Sequence, residues 1–160
     1  MDVMQRNRRF GWWSLLCWLG LGMALEAMHG FKIGWYLDVV SDGRRLQLTL
    51  AHSHGTLLAL INLAFAVAVP ADAPLASIAR AGACLRWAAL LMPIGFLLGG
   101  VFAMGADPGL PIVLVPIGGL LLFAGVLTAA RAASATRAVL ASPTPVPPPP
   151  AKPPGKQRPS

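Results

Sequence analysis

Charge is scarce in this chain. Only 12% of its 160 residues are Asp, Glu, Lys or Arg, against about 25% in ordinary soluble domains. Six residues are acidic, and Glu26 is the only glutamate. With 56% hydrophobic residues, too little polar surface is available to cover a water-soluble fold, so the bilayer is the expected solvent. Cysteine is nearly absent as well: Cys17 and Cys84 sit beside or inside apolar runs, which gives no support to a secreted disulfide scaffold and makes both packing residues. H-E-x-x-H, a phosphate-binding glycine loop, a nucleophile elbow and C-x-x-C are all missing, so none of the enzyme chemistries carried by those motifs is indicated. The formal charge of +7 does not point to nucleic acid, because no stripe of Lys and Arg interleaves with aromatics.

What is present is a set of long apolar runs. Hydrocarbon about 30 Å thick needs roughly 20 residues of helix at 1.5 Å each. Four runs meet that requirement, at about 10–37, 46–69, 84–104 and 110–130. The first follows Arg6, Arg8 and Arg9 and ends in FKIGWYLD, where Trp35 and Tyr36 read as interface anchors. It is too long for the apolar core of a cleaved signal, and Leu25 occupies the −3 position of the nearest small-residue site, after Ala27, so it is read as retained. The second stops at Pro70, as a helix should before proline. Gly105 to Gly109, with Asp107 and Pro108, form a tight turn before the fourth.

Basic residues give an orientation, because they are retained on the cytoplasmic side. Arg6, Arg8 and Arg9 at the amino end, Arg80 and Arg86 in the middle, and Arg131, Arg137, Lys152, Lys156 and Arg158 at the carboxyl end place ten on one side. Lys32, Arg44 and Arg45, offset by Asp38 and Asp42, place three on the other. Both termini are therefore expected in the cytoplasm, with the protein in a bacterial-type inner membrane and Arg86 snorkelling to the surface. From Ser142 to Ser160 the chain has nine prolines and a single aliphatic side chain, Val146, apart from one alanine. Such a segment cannot offset its ordering entropy and is expected to be a disordered, basic tail.

Helices in lipid associate by close packing, so small residues at spacing four mark contact faces. Gly95 and Gly99 do so on the third helix, and the fourth carries Gly118, Gly119 and Gly125. On the first, Gly22, Glu26 and Gly30 form a stripe expected to face neighbours. Pro93 and Pro116 are expected to bend their helices.

One constellation carries chemistry. Glu26 and all three histidines, His29, His52 and His54, fall on the first two helices towards their outer ends. Glu26 and His29, three apart, share a helix surface. A hairpin turning near Ser41 and Asp42 puts residues whose numbers sum to about 83 at equal depth, so His29 is level with His54. His52 and His54 are about 200° apart around their helix and cannot both face one ion. The small, slightly polar face of His52 suits the interior with Glu26 and His29, and the bulkier face of His54 suits lipid or a partner subunit. Imidazoles on two helices can ligate a transition metal or both axial positions of a haem, with Glu26 as a further ligand or an orienting partner. Glu26 and a histidine can also relay protons, and all these groups can simply pair and set helix register.

The stretch RRLQLTLAHSHGTLLALINLAFA resembles the haem-carrying core of the haem–copper oxidase subunit I superfamily, which has a histidine, often followed by glycine, near the outer end of an early helix. His54 with Gly55 carries the likeness, and His52 less directly. The resemblance implies a haem or metal ligand at the outer end of the second helix. This chain departs from that pattern in having far fewer helices and no histidine on its third and fourth. It is also similar to small bacterial four-helix membrane proteins with such a histidine pair, a likeness that implies no activity.

The expectation is an all-α, integral membrane four-helix bundle. It is not read as an enzyme; it binds haem or a transition metal through Glu26, His29, His52 and His54 as a redox or accessory subunit. The alternatives are a structural or assembly subunit without cofactor and a small proton-coupled transporter. Its partners are the lipid bilayer and either a membrane protein or a second copy of itself.

Overall fold

The computed structural model describes residues 2–37, 42–69, 74–103 and 107–141, with side chains to Ser134. The described residues are helical apart from short connections. They form α1 (Val3–Gly30), a one-turn α2 (Gly34–Leu37), α3 (Asp42–Ala68), α4 (Leu75–Val101), a 3-10 turn at Leu110–Val113 and α5 (Leu114–Ala141). Four helices, α1, α3, α4 and α5, are long and apolar enough to cross a membrane. The Pro-rich segment 142–160 lies outside the described residues.

Several helix limits differ from those that hydropathy sets. The first begins at Val3 and not Phe10, so Arg6, Arg8 and Arg9 ride on its first turns. The third begins at Leu75, after Pro74, and so takes Arg80 out of the loop and into the helix. Hydropathy registers the apolar centre of a span, whereas the helix continues into the interface where polar side chains reach water. Pro93 lies inside a continuous α4. Pro116 falls in the first turn of α5, where a helix has no use for the missing donor, so the bend expected there has no cause.

The long helices run up and down, and packing follows chain order: α1 on α3, α3 on α4, α4 on α5, with only a minor contact between α1 and α4. Half of the α4 span is buried, but only 11% of the last span. Leu120 and Phe123 of α5, like Trp12, Trp13 and Met23 of α1, are exposed; in a bilayer those faces meet acyl chains.

Contacts between helices are made where large side chains lie over glycine. On the α1–α3 seam, a β-carbon on Gly11 would meet Leu63, one on Gly55 would meet the Trp18 ring, and one on Gly22 would meet the His52 ring. On the α4–α5 seam Gly118 faces Met92, Gly125 faces Leu85 and Gly95 faces Val115. Close backbone approach at small residues is how helices gain dispersion contacts in lipid, which offers no hydrophobic drive of its own. The stripe expected on α1 is only partly a contact face: Gly22 is covered, but Gly30 has open space around it and Glu26 is exposed.

Candidate functional site

The α1–α3 seam sets the depth of every candidate ligand. Facing pairs 11/63, 18/55 and 22/52 have numbers summing to about 74 and not 83. The reason lies in the connection. The chain leaves α1 at Gly30, turns through Lys32 with φ +52° and makes the separate turn α2. Residues 31–37 thus lie outside the paired helices. His52 is therefore level with Gly22. Along the α1 axis Glu26 is about 6 Å and His29 about 10 Å beyond that level. His54, expected level with His29, is about 13 Å short of it.

His52 is half-buried, and its Nδ1 lies 2.8 Å from the carbonyl oxygen of Trp18. A carbonyl only accepts, so Nδ1–H is the donor and Nε2 keeps its lone pair. This is the arrangement in which a metal-ligating histidine is held by its other ring nitrogen. His52 shares a pocket of about 330 Å³ with Glu26, His29, Leu25, Tyr36 and Thr49. Glu26 and His29 are exposed at its rim. Tyr36, read from sequence as an interface anchor, turns inward and packs with Leu25 and Leu48, while Trp35 stays exposed.

His54 takes no part. Its Nδ1–H donates to the Leu50 carbonyl at 2.9 Å, and its ring lies against Phe96 of α4 with centroids 4.9 Å apart. The face expected to meet lipid or a partner is thus the α3–α4 contact: 27 residues of α4, beginning at Leu75, supply a neighbour whose side the α3 sequence alone does not reveal. Gly55, the glycine of the His-Gly pair, is filled by the Trp18 ring.

Among the described residues no three His, Cys, Asp or Glu side chains stand close enough to hold a metal ion together. The pocket collects three donors but staggers them along α1, which leaves the site open. Closing it on one ion requires Glu26 and His29, both free at the rim, to swing towards His52.

A second polar cluster lies at the opposite end and was not foreseen as a unit. Asn7 and Asn62 are fully buried. Asn7 Nδ2 donates to Asn62 Oδ1 and to the Gly82 carbonyl, both at 3.3 Å, and Asn62 Nδ2 donates to the carbonyls of Leu58 at 2.9 Å and Leu85 at 3.2 Å. Arg86 Nη1 donates to Asn7 Oδ1. Arg86, expected to snorkel outward, instead reaches across to α1, because α4 starts early enough to set it beside the first turns of that helix. The network ties α1, α3 and α4. Its only sequence signal is Asn62, a lone amide in an apolar run.

At the end of the bundle that carries α2, Arg44 holds the connection. Its Nη1 donates to the Trp35 carbonyl at 2.9 Å and Nη2 to the Ala103 carbonyl at 3.4 Å, and its guanidinium lies 4.7 Å from the Trp35 ring centroid. One side chain so joins the start of α3, α2 and the end of α4.

No protein-family model, curated protein or solved structure matches this chain.

Proposed function

We propose that this chain is a metal-binding subunit of the bacterial inner membrane, taking up a transition-metal cation in the pocket of Glu26, His29 and His52. The observation that carries the reading is that these three donors line one pocket, on a protein whose described spans hold no other carboxylate at membrane depth. Two imidazoles and a carboxylate suit zinc, copper or nickel. The His52 tautomer, set by the Trp18 carbonyl, presents Nε2 as the anchoring ligand. A volume of about 330 Å³, at the small end of ligand pockets, favours an ion over a haem macrocycle. His54, committed to Phe96, is outside the ligand set.

The test is metal analysis and absorption spectroscopy on full-length protein purified in detergent. One bound metal per chain, weakened at least about tenfold in His52→Ala and Glu26→Gln and unchanged in His54→Ala, is expected. A stoichiometric Soret band would assign haem instead, and metal-free, colourless protein from a well-supplied host would overturn the reading.

A second reading has its own observation. The His52 ring fills the notch at Gly22 and is hydrogen-bonded to α1, which is what a residue that sets helix register would do. A purely structural subunit would lose stability in His52→Ala with no change in bound metal.

The same proposal places both termini in the cytoplasm, supported by ten basic residues against three. Cysteine labelling of Asp2→Cys and Ser160→Cys from the cytoplasmic side, and of Lys32→Cys from the outside, checks it. Labelling of the two ends from opposite sides would reverse it.

A further inference from the structure

A second pocket, of about 310 Å³, opens between α4 and α5 at the end of the protein that carries the amino terminus. Its lining includes two arginines, Arg80 and Arg131, and two hydroxyls, Ser77 and Thr128. Spacing explains the convergence: Ser77 and Arg80 are three apart on α4, and Thr128 and Arg131 three apart on α5, so each pair shares a helix face. Pro74 caps α4 without a side-chain hydrogen bond. The Pro74 carbonyl accepts from the N–H groups of Ser77 and Ile78, which fixes the first turn of α4 beside the pocket.

We propose that this pocket binds the phosphate headgroup of an anionic phospholipid. Charge complementarity selects the headgroup. Two guanidinium forks can each chelate a phosphate oxygen pair, and Ser77 Oγ–H adds a neutral donor. Arg6, Arg8, Arg9 and Arg86 crowd the same end, against Asp2 and Asp72 in the sequence, so the local field is positive whatever the aspartates pair with. Basic pockets between helices at the cytoplasmic surface are where anionic lipid is held.

The surroundings select a lipid over a soluble phosphate. Below Arg80, on the same α4 face, come Cys84 and, two turns or about 10 Å deeper, Trp87, which is 57% exposed. Below Thr128 on α5 come Ala124 and Ile117, also exposed. A headgroup seated in the pocket therefore has an apolar surface beneath it for its acyl chains. Thr128 Oγ1 already donates to the Ala124 carbonyl at 2.7 Å, so it lines the pocket as an acceptor and stays with its helix.

The test is native mass spectrometry of the full-length protein with phosphatidylglycerol or phosphatidylcholine added. Phosphatidylglycerol should be retained roughly thirtyfold more tightly than phosphatidylcholine, at about 1 kcal/mol for each of the two arginines near anionic lipid. The preference should vanish in the Arg80→Gln, Arg131→Gln double variant. It should persist in Arg80→Lys, Arg131→Lys, which separates loss of charge from loss of fold, and in Arg45→Gln, whose arginine lies at the opposite end beside Asp42. Soluble glycerol phosphate at millimolar concentration should not displace the lipid. Equal retention of the two lipids, a preference that survives the glutamine pair, or full displacement by glycerol phosphate would each overturn the proposal.

Discussion

The imidazole of His52 occupies the place where a side chain on Gly22 would begin: a β-carbon there would collide with His52 Cε1. The same ring is hydrogen-bonded to Trp18, one turn earlier on α1. Its position is thus set by a notch on one side and a carbonyl on the other. Gly22→Ala should expel the ring, cost about 1–3 kcal/mol of stability and weaken metal uptake in the pocket. Thermal unfolding in detergent with and without metal checks both effects, and wild-type behaviour in both would contradict the seam described.

The α4–α5 seam offers a sharper comparison between adjacent glycines. A β-carbon on Gly118 would come within 2.8 Å of the Met92 backbone nitrogen, which cannot move aside, whereas one on Gly119 would find only Met92 Cε at 3.6 Å. Gly118→Ala should therefore push α5 from α4 and lower the melting temperature, while Gly119→Ala leaves it unchanged. Equal effects of the two would show that α5 packs in another rotation.

Asn7 and Asn62 are buried amides; Asn7 donates to Asn62, and together they donate to three backbone carbonyls. Asn62→Ala should cost about 1–3 kcal/mol, because it removes the partner of a buried donor. A double-mutant cycle with Asn7→Ala should return a coupling of about 0.6–2 kcal/mol, the range of hydrogen bonds between membrane helices. Additive losses, measured by reversible unfolding in mixed micelles, would mean that the two amides do not interact.

Arg44 joins the Trp35 and Ala103 carbonyls. Arg44→Gln should loosen the connection without unfolding the spans. Faster backbone hydrogen exchange at residues 33–37 and 101–103, with α3 still protected, is the expected pattern. Unchanged exchange there would assign the clamp no role.

Four membrane-length spans and the gathering of Glu26 with every histidine on the first two helices were legible in the sequence, because both follow from hydropathy summed along a local stretch. The small face of His52 points towards the seam with α1, where its ring meets Gly22. The register was not legible. It depends on the connection after α1, where the turn at Lys32 and the α2 turn consume residues that a simple hairpin would have paired. The place of His54 is hidden for a related reason: a bulky face on α3 reads alike whether it meets lipid or the Phe96 ring. The contact of Arg86 with Asn7 is hidden because it joins positions far apart in the chain.

By itself the sequence determined that this is a membrane protein of four helices with a strongly uneven distribution of ionisable groups, since apolar length and charge are properties of each segment alone. Only the tertiary structure decided which glycine receives which large side chain. That choice settled the depth of each imidazole, made one pocket of Glu26, His29 and His52, and turned His54 away from it, because fit between two surfaces is a property of neither helix taken singly.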